Sequence, residues 1–150
     1  MLKKKLGIEC IEKDWIMGKK GSDYFKIPST LIIPEGIEYI GFGAFADCRR
    51  LKKVVIPKSV VEIGHCAFNG CRELKEIKIP GSVEYIRENA FYFCKKLEKV
   101  VIPKSVKYIG IGAFDWCESA TIILKKPMSE SKFLPLTFKY CRYVKEEVRD

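Results

Sequence analysis

Long hydrophobic runs are absent from this chain of 150 residues. Its apolar stretches are only a few residues long, whereas a membrane-spanning helix needs about 20. The sequence therefore predicts no transmembrane helix. Hydrophobic residues make up 47% and charged residues 31% of the chain, which is typical of a globular protein rather than a disordered one.

The opening of the sequence also lacks the pattern of a secretory signal peptide. The opening MLKKKLGIECIEKDWIMGKK is basic, but charged residues interrupt the apolar core of about 7–15 residues that a signal peptide requires. We therefore expect a cytoplasmic protein. A cell-surface or secreted protein whose leader has been removed is the alternative.

Catalytic signatures are equally scarce. The chain has one histidine, His65, and no G-x-S-x-G, P-loop or dinucleotide-binding fingerprint. His65 lies beside Cys66 and near Cys71. A catalytic or metal-binding role would therefore rest on these residues, which could hold a metal ion together, or on Cys66 as nucleophile with His65 as its base. Adjacent side chains tend to point apart, and His65 occupies a variable position of the repeat described next. We predict that the protein is not an enzyme and has no cofactor.

Acidic residues are too few to balance the basic ones. Lys and Arg number 28 against 19 Asp and Glu, which leaves a formal net charge of +9. Such an excess favours acidic partners, whether a nucleic acid, an anionic lipid or an acidic protein, and it also promotes solubility.

What the chain has in abundance is an internal repeat. Four segments align without gaps, among them VVIPKSVVEIGHCAFNGCRE from Val54 and VVIPKSVKYIGIGAFDWCES from Val100, and a degenerate copy, LTFKYCRYV, follows from Leu136 with a one-residue slip. Proline, phenylalanine and cysteine recur every 23 residues, at Pro34, Pro57, Pro80, Pro103, Phe45, Phe68, Phe91, Phe114, Cys48, Cys71, Cys94 and Cys117. A fixed period of this length indicates a solenoid.

The apolar positions of one copy predict how a turn is built. Residues 51–56 follow L-x-x-L-x-L, the pattern of a short strand, and Pro57 ends it because proline has no N–H for the ladder. A second short extended segment follows at residues 60–63. Residues 67–74 have their apolar side chains at i, i+1, i+4 and i+7, which predicts a short helix or 3-10 turn. Stacked at about 4.8 Å, such turns would bury a continuous core.

The repeat I-P-x-S-V-x-x-I-G-x-x-A-F-x-x-C-x-x-L resembles the BspA-like class of leucine-rich repeat, and IPKSVVEIGHCAFNGCREL matches it almost position for position. The resemblance implies a curved right-handed solenoid for protein–protein contact, often found in bacterial surface adhesins that bind host proteins. We expect an α/β solenoid of about five turns, with short parallel strands, short helical or 3-10 segments and non-repeat caps at both ends.

Three segments follow from this expectation. Residues 1–30 carry no copy of the motif and are predicted to be an N-terminal cap, residues 31–144 the solenoid, and residues 145–150 a charged, frayed tail. The cap has apolar and aromatic residues to cover the first turn: Trp15, Ile16, Tyr24, Phe25 and Ile27. Because an open terminal turn can stack on another copy, we expect a monomer or a weak end-to-end dimer.

Seven cysteines raise the alternatives of disulfides or zinc. Four of them, together with Cys141, share one position of the repeat and should form a column with one thiol per turn. Zinc sites usually take four ligands from paired C-x2–4-C elements, which such a column does not supply. We therefore expect no metal, but buried, reduced thiols that fill the core, which favours a non-oxidising compartment.

Basic residues recur on successive turns, and stacking is predicted to bring them together with Glu76 opposing them. We call this set the basic ridge: Arg49, Arg50, Lys53, Arg72, Lys78, Lys95, Lys96 and Lys99. Two hypotheses remain open for it. It is either a solvated face whose lysines protect the strands from edge pairing, or a binding surface for an acidic partner.

Phe93, Trp116 and Tyr140 form a second predicted surface, the aromatic stripe. They share the position two residues after the repeated phenylalanine, where earlier copies carry Asp47 and Gly70. Aromatic residues are enriched in interface hot spots, and packing between turns is the alternative. A separate tyrosine column is predicted to pack: Tyr39, Tyr85 and Tyr108.

These features predict a non-catalytic protein–protein interaction module, adhesin-like or effector- or inhibitor-like. Its rigid scaffold would present the basic ridge and the aromatic stripe to a protein partner, with little to order on binding. The alternative is nucleic-acid or polyanion binding through the ridge, with affinity that falls steeply with salt. No aromatic residue is expected to interleave with the central column of basic residues, which argues against base stacking there.

Overall fold

The computed structural model describes residues 3–5, 8–11, 29–127, 130, 132–133 and 136–148, with side chains described at 29–127, 130 and 136–148. The residues expected to form the cap, from Trp15 to Ile27, lie outside these ranges. Within the described residues the chain forms thirteen short strands. They are β1 (Lys3–Lys5), β2 (Ile8–Ile11), β3 (Thr30–Ile32), β4 (Ile37–Ile40), β5 (Lys53–Val55), β6 (Glu62–Ile63), β7 (Glu76–Lys78), β8 (Tyr85–Ile86), β9 (Lys99–Ile102), β10 (Tyr108–Ile109), β11 (Thr121–Leu124), β12 (Lys132–Phe133) and β13 (Tyr143–Glu146).

The strands form two sheets, because each turn of the chain contributes one strand to each sheet. One sheet has six strands in the order β3-β5-β7-β9-β11-β13, and the other has seven in the order β1-β2-β4-β6-β8-β10-β12. The pair β1–β2 is antiparallel. The pairs from β2 and β3 onward that the structure describes are parallel. The architecture is the predicted solenoid of about five turns.

Partner residues in neighbouring strands are one repeat apart in the sequence. Leu31 lies beside Val54, and Val54 lies beside Ile77. The offset shortens by one residue between β9 and β11, where Val100 lies beside Ile122. Equivalent positions of the repeat therefore stack into columns, and the sequence period is the structural period.

One side of each strand faces the core. In β5, Val54 is buried whereas Lys53 and Val55 are exposed, as expected of a strand with one solvated face. Inside the solenoid the repeated phenylalanines stack with ring centroids 5.0–5.3 Å apart: Phe45, Phe68, Phe91 and Phe114. These rings are at most 1% exposed, and burial of each contributes about 1.5–3 kcal/mol.

The short helical or 3-10 segments that the apolar spacing predicted are not confirmed in the described part of the chain. Residues 65–70 and their equivalents form runs of consecutive tight turns instead, which we call the arcs. The Ala67 N–H donates to the Gly64 carbonyl three residues back (3.2 Å), whereas the Phe68 N–H donates to the Ala90 carbonyl on the next turn (2.8 Å). This alternation recurs from turn to turn. A helix needs all its N–H groups for its own carbonyls, and here every second donor bonds to the neighbouring turn.

The alternation places two residues of each of these arcs in the left-handed backbone region. The first position is occupied by Gly43, Cys66, Asn89, Gly112 and Leu136, and the second by Asp47, Gly70, Phe93, Trp116 and Tyr140. Glycine, asparagine and aspartate adopt this region readily, whereas a bulky side chain there is uncommon. The second position is the one that the aromatic stripe occupies.

The solenoid pairing extends past residue 144, where the sequence placed its end. Strand β13 pairs with β11 as far as Glu146, and Glu147 accepts a hydrogen bond from Lys125 (2.9 Å). At the other end β2, from the segment expected to be a cap, pairs with β4. The described part of the chain contains no helix that is long and apolar enough to span a membrane.

Candidate interaction surfaces

The structure divides the basic ridge into two groups. Lys53, Lys78 and Lys99 lie at exposed positions of β5, β7 and β9 in the six-stranded sheet. The remaining members lie in the turns that follow each arc: Arg49, Arg50, Arg72, Lys95 and Lys96. The two groups approach each other where Lys96 and Lys99 line one cavity.

Acidic residues of neighbouring turns pair with much of the ridge. Lys53 contacts Glu76 (2.6 Å) and Lys96 contacts Glu73 (2.7 Å). Lys95 contacts Glu118 (3.0 Å). The hydrogen bond from Lys96 lowers the pKa of the Glu73 carboxyl. The ridge is therefore interrupted by carboxylates. Sequence reasoning missed Glu73 and Glu118, although each lies one repeat length from its lysine.

The outer face of the six-stranded sheet carries two cavities, of about 700 Å³ and about 450 Å³. Both are lined by Lys75, Glu98 and Lys99, so they form one depression, which we call the sheet cleft. The larger cavity adds two basic residues that sequence reasoning missed, Arg142 and Lys145. Arg142 occupies the position of Arg72 and Lys95 once the one-residue slip before the last turn is counted, which is the signal that would have found it.

The aromatic stripe forms a continuous row of rings on three turns. The ring centroids of Phe93 and Trp116 are 6.2 Å apart, and those of Trp116 and Tyr140 are 4.3 Å apart. Trp116 remains 36% exposed and Tyr140 50% exposed. Their φ angles are 62° at Phe93, 59° at Trp116 and 60° at Tyr140. The structure thus brings the three predicted residues together on strained backbone.

Basic side chains lie against the aromatic stripe. The Arg72 guanidinium carbon and the Lys95 Nζ lie 4.9 Å and 4.6 Å from the centroid of Phe93. Lys139, which sequence reasoning missed, places its Nζ 4.9 Å from the centroid of Tyr140. These are cation–π distances. The argument that no aromatic residue interleaves with the central basic residues was therefore wrong in three dimensions, because neighbours in space come from different turns.

Two members of the tyrosine column, Tyr85 and Tyr108, lie beside Arg87 on the seven-stranded sheet. Arg87 donates from Nε and Nη2 to the two carboxylate oxygens of Glu62 (2.9 and 2.8 Å), and its guanidinium carbon lies 5.0 Å from the centroid of Tyr85. The Glu62 contacts raise the pKa of Arg87. Tyr85 and Tyr108 are half-buried beside it, as the packing alternative predicted.

His65 has an aromatic and an acidic neighbour. Its ring stacks on Phe42 (5.5 Å), and its Nδ1 is 3.4 Å from a carboxylate oxygen of Glu88. Glu88 also accepts a hydrogen bond from the Tyr108 hydroxyl, which is the main cause that lowers its pKa. Cys66 is half-buried and forms no disulfide. Among the described residues, no three His, Cys, Asp or Glu side chains are grouped so that they could hold a metal ion.

The predicted cysteine column is present in the core. The thiols of Cys71, Cys94, Cys117 and Cys141 each donate to the carbonyl of a phenylalanine in the preceding turn, at 3.1–3.2 Å. Burial raises the pKa of Cys94 and Cys117, and that of Cys141 to about 12. These thiols are protonated at neutral pH, and they are weak nucleophiles.

Solved structures of leucine-rich repeat proteins resemble this solenoid. A leucine-rich repeat protein from Bacteroides ovatus is 31% identical, with a TM-score of 0.66 over 77% of this chain and 33% of that chain. The T. pallidum leucine rich repeat protein is 28% identical, with a TM-score of 0.71 over 78% of this chain and 58% of that one. A leucine rich cell surface protein from Faecalibacterium prausnitzii is 25% identical, with a TM-score of 0.54 over 69% and 35%.

The chain thus spans between a third and three fifths of the lengths of these structures. No curated protein matches it. The model of the BspA type leucine rich repeat region matches residues 23–145 in six copies. The match begins inside the segment expected to lack the motif. With most of its length matched, the chain belongs to the BspA-type leucine-rich repeat family.

Proposed function

We propose that this protein is a non-catalytic scaffold that binds a protein partner through the aromatic stripe. The observation that carries the proposal is the left-handed backbone beneath Phe93, Trp116 and Tyr140. A side chain other than glycine costs about 1–2 kcal/mol in this region. Asp47 and Gly70 fill the same position in other turns, so the repeat itself does not require aromatic residues there.

Packing between turns accounts for only part of the stripe. The rings touch along the row, yet a third of Trp116 and half of Tyr140 stay exposed. Tryptophan, tyrosine and arginine dominate interface hot spots because they bury large areas with few rotatable bonds. Strained, half-exposed rings in a row therefore fit a binding surface better than a stabilising one.

The surrounding charges indicate the chemistry of the partner. Arg72, Lys95 and Lys139 lie at the edges of the stripe. They would favour a partner that inserts an apolar group between the rings and carries carboxylates around it. Adhesin-like, effector-like and inhibitor-like roles all fit such a surface, and the neighbour from Faecalibacterium prausnitzii is described as a cell surface protein.

The test is affinity capture with Trp116→Gly. This variant removes the ring and places at residue 116 the glycine that occurs naturally at the equivalent position, Gly70. The matched control is Phe42→Ser, which removes a 69% exposed aromatic residue from outside the stripe. We expect the wild type and Phe42→Ser to retain a common partner that Trp116→Gly loses, with an affinity at least about 30-fold weaker for a hot spot. Equal retention by all three proteins would contradict the proposal.

Nucleic-acid binding is a second candidate, which the contacts of Arg72 and Lys95 with Phe93 favour. A ring flanked by cations suits base stacking with phosphate contacts. A gel-shift assay with single-stranded oligonucleotides at two salt concentrations tests it, since phosphate contacts make affinity fall steeply with salt. Absence of a shift at low salt would eliminate this candidate.

We also propose a cytoplasmic location and a monomer or weak end-to-end dimer. The free, buried thiols suit a reducing compartment. Fractionation of native cells with an antibody tests the location, and detection at the cell surface would contradict it. Sedimentation velocity at several concentrations tests the oligomeric state, and a stable higher oligomer would contradict it.

A further inference from the structure

We infer that the sheet cleft binds an extended acidic peptide. This site is built from residues other than the aromatic stripe, and it goes beyond the function proposed above. The cleft lies on the outer face of the six-stranded sheet, where backbone hydrogen bonds hold the side chains of successive turns in fixed columns.

The larger cavity gathers basic side chains from three turns of the chain, those that carry β7, β9 and β13. In its volume of about 700 Å³, the ionisable lining residues are Lys75, Lys96, Glu98, Lys99, Arg142 and Lys145. Five of these six side chains are cations. A concave surface lined by one sign of charge concentrates the field and attracts ions of opposite sign.

Only part of this charge is neutralised within the protein. Lys96 contacts Glu73, and Lys145 contacts Glu147. Among the described residues, Lys75, Lys99 and Arg142 form no ion pair, and all three are exposed. Three cations that share one cavity repel each other, and an anion placed between them removes that repulsion.

The shape of the depression fits an extended chain. The smaller cavity, lined by Val55 and Glu76, continues from the larger one across β5 and β7 through the shared residues Lys75 and Lys99. From β5 to β13 the sheet has five adjacent strands, which at about 4.8 Å per strand spans about 19 Å. An extended peptide of about six residues covers this distance.

The lining favours a peptide over a nucleic acid. Among the residues that the structure describes, no aromatic side chain on which bases could stack lines either cavity. Glu98 lies where the two cavities overlap and would repel a continuous row of phosphates. A peptide can place a neutral residue opposite Glu98 and carboxylates opposite Lys99 and Arg142.

The test uses the full chain and a fluorescein-labelled octapeptide of alternating Glu and Ser, with a Gln–Ser octapeptide for comparison. The variant Lys99→Glu with Arg142→Glu removes two unpaired cations of the cleft. The control, Lys58→Glu with Lys126→Glu, changes the net charge equally at positions outside both cavities. Circular dichroism verifies that each variant is folded.

We expect fluorescence anisotropy to show binding of the acidic peptide by the wild type. The cleft variant should bind at least about tenfold more weakly, and the control and Trp116→Gly within about twofold of the wild type. No binding by the wild type at low salt, or equal losses in both double variants, would overturn the inference. Tighter binding of a single-stranded octanucleotide or of anionic vesicles would overturn it as well. Because Trp116→Gly tests the aromatic stripe separately, failure of one proposal is distinguishable from failure of the other.

Discussion

The thiol of Cys94 donates a hydrogen bond to the backbone carbonyl of Phe68, which belongs to the preceding turn, at 3.2 Å. The same thiol is fully buried. Four turns thus use a cysteine, Cys71, Cys94, Cys117 or Cys141, both to fill the core and to add a second donor to a backbone carbonyl that faces it. Burial of an unpaired polar group costs free energy, so this contact links the identity of the residue to the stability of the stack.

Replacement of Cys94 by alanine should destabilise the solenoid by about 1–2 kcal/mol, because it leaves a small void and removes one of the two donors to the Phe68 carbonyl. Cys66→Ala is the matched control, since Cys66 is only half-buried and lies outside the column. Urea unfolding measures both. Equal midpoints for the two variants would contradict the structural role of the thiol.

Phe91 lies within the phenylalanine stack, with rings on either side at 5.3 Å and 5.0 Å. Phe91→Ala should cost about 3–5 kcal/mol, the range for removal of a fully buried aromatic ring. Phe42→Ser, at an exposed position, should change stability by less than about 0.5 kcal/mol. Thermal unfolding distinguishes them, and a small effect at Phe91 would mean that the turns repack.

Gly64 is required by the close approach of two turns. A Cβ atom added there would lie 2.5 Å from the carbonyl oxygen of Ile40, whereas one added at Gly81 meets nothing within 4 Å. Gly64→Ala should therefore force the turns apart and cost more than about 2 kcal/mol. Gly81→Ala should be neutral or stabilise by up to about 1 kcal/mol by restricting the unfolded chain. Chemical denaturation of the two variants compares these outcomes directly, and similar losses would refute the clash.

Trp116→Gly should relieve left-handed strain and lose ring contacts, two effects of opposite sign. We expect a net change in stability within about 1 kcal/mol of zero. A calorimetric melting curve measures the balance. A loss of several kcal/mol would assign Trp116 to packing between turns and weaken its assignment to a binding surface.

Glu147 connects strand β13 to β11 by contacts with Lys145 and Lys125, which lower its pKa to about 2. Because the folded pKa lies below the unfolded value of about 4.3, the stabilisation is present above that value and is lost as the pH falls towards 2. Glu147→Gln should thus be less stable than the wild type at pH 7, and the difference should shrink by pH 2.5. Since the carboxylate is partly open to solvent, which screens its ion pairs, we expect a small effect. Urea unfolding at both pH values checks it, and a difference that persists at pH 2.5 would contradict the charge-based explanation.

The columns of the solenoid could be predicted because the same residue types recur at a fixed interval in the sequence, and that interval is one turn of the structure. Phe68 and Cys71 recur one repeat away as Phe91 and Cys94, and both pairs stack in the core. The arcs could not be predicted in the same way. Apolar spacing of i, i+1, i+4 and i+7 is shared by a helix and by a chain whose alternate N–H groups bond to the next turn.

The surfaces were harder to predict than the core. A left-handed backbone conformation is usually predicted from glycine or asparagine in the sequence. Phe93 and Trp116 adopt this conformation although neither residue type indicates it. The ion pairs of Lys96 with Glu73 and of Lys95 with Glu118 join residues whose numbers differ by one repeat length, so they could have been found by adding or subtracting that length from each lysine's position. The sheet cleft depends on Arg142, whose position is visible only after the slip in the last copy is counted.

Strands β3, β5, β7 and β9 are offset by one repeat each, which has a consequence for what fixes the order of these turns. In the core, Val54, Ile77 and Val100 are nearly interchangeable, so exchanged or excised turns would still stack. On the outer face they would not, because Lys53, Glu76 and Lys99 alternate in charge. Loss of the turn that carries Glu76 would set Lys53 against Lys99. The charges on the outer face therefore distinguish one turn from another, whereas the core residues are nearly the same in these turns.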